Sequence, residues 1–145
     1  MLSNTRSVRI EWGDCDPAGI IFYPRYFAMF DHSTTMLITA ASGVSKAELL
    51  KKYDFAGYPV VSTQAKFIIP TRFGDDIDIE STFTRLGRSS FEIRHQIRKE
   101  GKVAVEGLET RAWVGYEPGE KTKIRARPLP EDLLASFKGK QQVGA

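Results

Sequence analysis

One stretch of the chain concentrates residue types that can break a carbonyl bond: Gly13-Asp14-Cys15-Asp16-Pro17-Ala18-Gly19-Ile20-Ile21-Phe22-Tyr23-Pro24. Two acids sit in a Gly/Pro loop that runs directly into Pro24. The fixed φ and missing N–H of proline suit the first helical position. A helix start carries unpaired N–H groups and about half a positive charge. Pro24 offers no donor, so the amides of Tyr23, Arg25 and Tyr26 are the candidates to hold a developing oxyanion. An ionised carboxylate nearby can act as nucleophile or as the base that activates water. A carbonyl between the two is attacked from one side and polarised from the other, the minimum for hydrolysing an activated acyl group. A thioester suits it, because a thiolate leaves with less acid assistance than an amine. From spacing alone, the alternative that Asp14 or Asp16 merely shapes the turn stays open.

Other chemistry-bearing residues point less far. Cys15 has no evident base and reads as a small buried residue. His32 falls on the expected helix and His95 on a strand, and two isolated histidines are too few for a metal site; both read as structural. Lys121 to Arg127 is a basic run without interleaved aromatics, a poor nucleic-acid signal. A lone cysteine in 145 residues excludes an internal disulfide and a Cys-based metal cluster and suggests the cytosol. A net charge of +3 is too mild to argue for nucleic acid. No apolar run is long enough to span a membrane, and Met1 to Ile10 lacks a signal-peptide core.

The elements that must position these residues follow from periodicity. Val8, Ile10 and Trp12 alternate with Arg9 and Glu11, predicting a strand over Ser7 to Trp12. From Pro24 to about Ser42 apolar residues recur at helical spacing over most of the circumference, predicting a long, enclosed helix stopped at Gly43. Ser45 caps a short helix reaching Tyr53, with Glu48 at the capping-box position. Period two then takes over in Val60–Ile69, Asp76–Leu86 and Phe91–Arg98, and Glu100-Gly101-Lys102 signals a hairpin. Val103–Tyr116 reads as one strand whose apolar phase switches at Gly107, where a β-bulge would absorb the slip. Lys123–Arg127 is a last strand, Pro130–Phe137 a short helix, and the tail after Lys138 is expected to be loose. The whole, residues 1–145, is one α+β domain: an antiparallel sheet curled around one long central helix.

These residues resemble the 4-hydroxybenzoyl-CoA thioesterase family of hot-dog fold enzymes. The resemblance rests on DCDPAGIIFYPRYF, continues through GYPVVSTQAKFIIPTRFGDDIDIE and RSSFEIRHQI, and fades in KIRARPLP. It implies an acyl-CoA thioesterase that needs no cofactor beyond the coenzyme A of its substrate, an aroyl-CoA such as 4-hydroxybenzoyl-CoA. Asp16 matches the catalytic carboxylate and Tyr23 the position whose amide polarises the carbonyl. Asp31 matches an acid that reaches the acyl ring's hydroxyl, with Ser62 on the pocket wall; Phe22, by its own place in the loop, is expected to face the acyl pocket. Arg88, Ser90 and Arg125 are implied for coenzyme A. Gly87 and Ser89 stand where basic residues are expected, and Arg85 and Lys123 could compensate. A short- or medium-chain aliphatic thioesterase, a hydratase of the same fold and a non-catalytic acyl-CoA-binding module are the competing readings.

A sheet wrapped on one helix also leaves strand edges and apolar sheet surface to be covered. The resemblance implies a homodimer, pairing further into a homotetramer, with the arginines of one subunit facing Asp16 of the other.

Overall fold

Among the described residues, helix and strand periodicities become ten elements: β1 (Ser3–Arg9), α1 (Pro24–Ser42), α2 (Lys46–Lys52), β2 (Val60–Phe67), β3 (Asp76–Leu86), β4 (Ser90–Lys99), β5 (Lys102–Ala112), β6 (Val114–Glu117), β7 (Glu120–Ala126) and α3 (Glu131–Phe137). The computed structural model describes residues 1–139; the tail expected to be loose lies, Lys138 and Gly139 aside, outside the described residues. Five strands form one antiparallel sheet in the order β1-β3-β4-β5-β2, and β6 and β7 form a separate ladder. α1 packs across one face of the sheet, giving the expected α+β hot-dog architecture. Among the described residues no helix is long and apolar enough to cross a membrane.

Local chemistry sets the boundaries. Pro24 occupies the first turn of α1, and Gly43 ends the helix in the left-handed region at φ 74°, a conformation open to glycine at little cost. Ser45 caps α2 by accepting from the Glu48 amide at 3.2 Å. The β4–β5 hairpin closes through Glu100 and Gly101 alone, at φ 52° and 78°. Two consecutive positive φ values match the right-handed twist of the flanking strands.

Three expectations about the strands need correction. The first strand lies earlier, at Ser3–Arg9, because Trp12 to Asp14 form a 3-10 turn that leaves Trp12 exposed. Val103–Tyr116 breaks at Trp113, and Val114 onward pairs with β7 instead of β4. The bulge of β5 sits at Ala104, opposite Ile97 and Arg98. Gly107 serves another purpose: a Cβ there would lie 2.5 Å from the Phe30 ring. Glycine is what lets α1 approach the sheet. No phase switch follows it, so Val105, Gly107, Glu109 and Arg111 all face the helix.

The core has two parts. Ile10, Tyr26, Phe30, Ile79, Ile97 and Val105 pack beneath the start of α1. Leu37, Ile38, Phe83, Phe91, Trp113 and Phe137 pack beneath its end. α1 is less enclosed than its composition suggests, since Arg25, Ala28, Asp31 and His32 are exposed. The outer sheet face is polar rather than apolar, carrying Glu80, Arg98, Gln96 and Glu106 in lateral contacts. Exposed apolar groups gather instead on and beside edge strand β2, at Val60, Val61, Phe67 and Ile68.

Gly107→Ala should therefore destabilise the fold by about 1–3 kcal/mol, because the Phe30 ring must move out of a packed site. Chemical denaturation should register this as a lower midpoint at unchanged slope.

Candidate active site

Asp16 sits at the tip of a tight excursion between β1 and α1. The Asp16 amide donates to the Ile20 carbonyl at 2.9 Å and the Phe22 amide to the Asp14 carbonyl at 2.8 Å, so the chain folds back on itself. Gly19, at φ 79°, makes the reversal. The excursion docks on the segment before β3, with Ile21 N donating to Thr71 O and Phe73 N to Gly19 O. The two acids differ in their engagement. Asp14 Oδ2 accepts the Glu11 amide at 3.0 Å, closing the 3-10 turn. Asp16 Oδ1 accepts the Ala18 amide at 2.9 Å, while its other oxygen has no partner among the described residues. Burial, then the charges of Asp14 and Asp16, push the Cys15 thiol up, which suppresses its thiolate.

Three amides were candidates at the helix start, and the structure separates them. Arg25 N donates to Phe22 O at 2.9 Å and Tyr26 N to Tyr23 O at 3.1 Å. The Tyr23 amide has no acceptor among the described residues. It stands three residues after Ile20, the partner of Asp16. Beside it lies a cavity of about 240 Å³ lined by Ile20, Ile21, Tyr23, Tyr26, Phe67, Ile68, Ile69 and Pro70. This wall is apolar, and Asp16 is not part of it. Phe22 is half exposed, its ring 5.9 Å from that of Tyr23.

The remaining residues read from the sequence lie elsewhere. Arg88 is exposed in the β3–β4 turn, and its carbonyl accepts the Leu129 amide at 2.8 Å. This bond brings Arg88 next to the segment that follows β7, the strand that carries Arg125. Arg125 is loosely paired with Glu117 at 3.9 Å. The Asp16 loop docks where β3 begins, whereas Arg88 follows where it ends. β3 has 11 residues and spans roughly 35 Å when extended, so the two groups lie toward its opposite ends. Ser62 pairs with Thr110 and shares the face turned away from α1; Thr63, opposite Glu109, is its neighbour on the helix side. Asp31 lies on the exposed flank of α1.

A cluster that sequence reasoning missed crosses the middle of the molecule. His95, Ser81 and Thr34 are buried, as are Glu109 and Arg111. His95 Nδ1 lies 2.7 Å from Ser81 Oγ, and His95 Nε2 lies 3.2 Å from Glu109 Oε1 and 3.3 Å from Thr34 Oγ1. Thr34 also donates to Glu109. Arg111 donates from Nε and Nη2 to the two Glu109 oxygens at 3.2 and 3.3 Å, and from Nη1 to the Tyr58 carbonyl at 3.2 Å. Its Nη2 also reaches Asp31 Oδ1 at 2.9 Å. Phe30 stacks on His95 with centroids 4.7 Å apart. Alternating charge at positions 109 and 111 was the available signal, since residues two apart share a face of a strand. The expected phase switch at Gly107 turned them outward.

The chain matches the thioesterase-like superfamily model over residues 10–137. It belongs to that family. As a member it is a thioester hydrolase. It is 31% identical over 137 residues to the 4-hydroxybenzoyl-CoA thioesterase of Pseudomonas sp. (strain CBS-3), covering 91% of this chain and 95% of that one. Among solved structures, a mutant 4-hydroxybenzoyl CoA thioesterase complexed with 4-hydroxybenzoyl CoA superposes with a TM-score of 0.83 at 26% identity, covering 93% of this chain and 98% of that one. The gentisyl-coenzyme A thioesterase BH1999 superposes with a TM-score of 0.78 at 30% identity, covering 93% and 99%.

Burial works against the Glu109 carboxylate, but the hydrogen bond and electrostatic attraction of His95, then Thr34 and Arg111, outweigh it and hold Glu109 below the ordinary carboxylate range. The unfolded chain therefore takes up this proton first. The resulting stability is complete above the ordinary glutamate value of about 4.3 and is lost as pH falls below it through the folded value. Urea denaturation across that acid range should show stability falling with pH, and Glu109→Gln should show a shallower fall.

Proposed function

We propose that the chain hydrolyses acyl-CoA thioesters, with an aroyl-CoA such as 4-hydroxybenzoyl-CoA as substrate. The observation that carries this reading is the uncommitted amide of Tyr23, a residue that lines an apolar cavity and ends a loop in which Asp16 keeps one oxygen free. The Tyr23 amide and the positive end of α1 take the thioester oxygen as it gains charge. Asp16 attacks the carbonyl carbon, expelling the thiolate of coenzyme A and leaving an anhydride that water then hydrolyses, or it takes a proton from the water that attacks directly as the thiolate leaves. Phe22 and the cavity wall receive the acyl group, and Asp31 accepts from a ring hydroxyl. The names of the relatives favour an aroyl group. Neither scheme calls on Cys15, a histidine or a cofactor. A single cysteine suits a reducing, cytosolic setting.

The separation of Asp16 from Arg88 gives the assembly a role. The catalytic loop and the phosphate-binding set of Arg88, Ser90 and Arg125 lie at opposite ends of β3, so a second copy must bring one to the other. The open edge of β2, with Val60, Val61 and Phe67 exposed, supplies a surface for it. We read the enzyme as a homodimer, with dimers pairing into tetramers.

Asp16→Asn should lower kcat on acyl-CoA by about 10²–10⁴-fold, with substrate binding and Tm nearly unchanged. Retained activity would remove Asp16 from its role. Thiol release measured with DTNB separates an enzyme from a binding module, and comparing benzoyl, 4-hydroxybenzoyl and hexanoyl thioesters separates aroyl from aliphatic preference. Co-refolding Asp16→Asn with Arg88→Ala tests the shared site. Each mixed dimer then holds one site with both residues intact and regains activity, whereas sites confined to one chain stay impaired.

A further inference from the structure

Arg111 is tied down far more than neutralising Glu109 requires. Its Nε and Nη2 already meet both Glu109 oxygens, at 3.2 and 3.3 Å. Its Nη1 is anchored on the Tyr58 carbonyl at 3.2 Å, and the Tyr58 ring lies 5.9 Å from the guanidinium carbon. Glu109 is in turn held by His95 and Thr34. This plane is locked by groups from α1, β4, β5 and the segment before β2. From it, one further N–H of Nη2 reaches Asp31 Oδ1 at 2.9 Å. The Asp31 side chain is 68% exposed, against 6% for Arg111. An exposed aspartate on a helix ordinarily samples several rotamers at little cost. Here one oxygen is clamped from beneath, and the other has no partner among the described residues.

We propose that Arg111 is the positioning residue for Asp31, aiming its free oxygen at the hydroxyl of the acyl ring and so setting selectivity for hydroxylated aroyl groups. The proposal rests on the reading above that Asp31 meets the acyl ring. A neutral phenol donates one hydrogen bond, and an ionised carboxylate is its strongest common acceptor. That bond discriminates against a ring without the hydroxyl only if the carboxylate is already in place. A mobile Asp31 would lose much of the gain in ordering itself. Tying Arg111 to the helix–sheet core makes the acceptor rigid without adding a group to the pocket.

The test is the ratio of kcat/KM on 4-hydroxybenzoyl-CoA to that on benzoyl-CoA, a quantity that general destabilisation does not move. Asp31→Asn should lower the ratio about tenfold or more, as expected for loss of a hydrogen bond to a charged group. The double variant Glu109→Gln/Arg111→Met, which keeps the buried position free of unpaired charge, should lower it to the same level. Adding Asp31→Asn to that variant should bring no further loss. Should the double variant not fold, Arg111→Lys keeps a cation beside Glu109 but cannot span both carboxylates, and it should lower the ratio likewise. An Arg111 variant with a wild-type ratio overturns the positioning role, even while Asp31→Asn still shows the effect. A wild-type enzyme indifferent to the hydroxyl, or an Asp31→Asn variant with an unchanged ratio, removes Asp31 from the ring and the proposal with it.

Discussion

The close approach of α1 to the middle of the sheet is the constraint on which the other features depend. It is made at Gly107, where the Phe30 ring occupies the space a side chain would fill, and at His95, on which the same ring stacks. One row of the sheet, Ser81–His95–Gly107, therefore has no room for large apolar groups. Polar side chains take that row and the adjoining positions. Buried polar groups must find partners, or each costs about 1–3 kcal/mol. Here Ser81, His95, Thr34, Glu109 and Arg111 satisfy one another. The result is a polar seam between two hydrophobic clusters. It fixes the axial position of α1, because a shift of one turn would separate Thr34 from Glu109 and Asp31 from Arg111. Such discrete pairing specifies a register more sharply than apolar packing can.

That axial position has consequences at both ends of the helix. At its start, Tyr23 is left beside an apolar cavity with its amide unspent, and the loop carrying Asp16 is held to the segment before β3 by backbone hydrogen bonds. At the far end, the β3–β4 turn and β7 carry Arg88 and Arg125 in solvent. The proposed function assigns acyl chemistry to the first end and nucleotide recognition to the second, and calls on a second copy to join them. Near the middle, the seam surfaces at Asp31, so the same buried network that holds the helix also presents a carboxylate to the outside.

Much was legible in the residues themselves. Pro24, Gly43, Ser45 and the Glu100-Gly101 pair act through local sterics and hydrogen bonding, and each marks a boundary where it was expected. The alternation in β3 and β4 placed Ile79, Phe83, Ile93 and Ile97 inward. The acid loop before Pro24 stood out because Gly, Asp and Pro cluster there, and its resemblance to a thioesterase motif extended over most of the chain. What escaped was the seam. Gly107 looks like a bulge to a reader of periodicity, yet the same glycine serves a ring from another element. Glu109 and Arg111 look like an exposed face, because charge is expected outside.

Sequence alone determined where helices begin and end, which strands alternate, and that an acid loop feeds a proline-started helix, since these depend on neighbours within a few positions. Tertiary structure decided which amide stays free, which way β5 faces, how Asp31 is gripped, and that Asp16 and Arg88 flank opposite ends of β3. Those outcomes depend on groups some 60 to 80 positions apart in the chain meeting in space, and no local pattern encodes such a meeting.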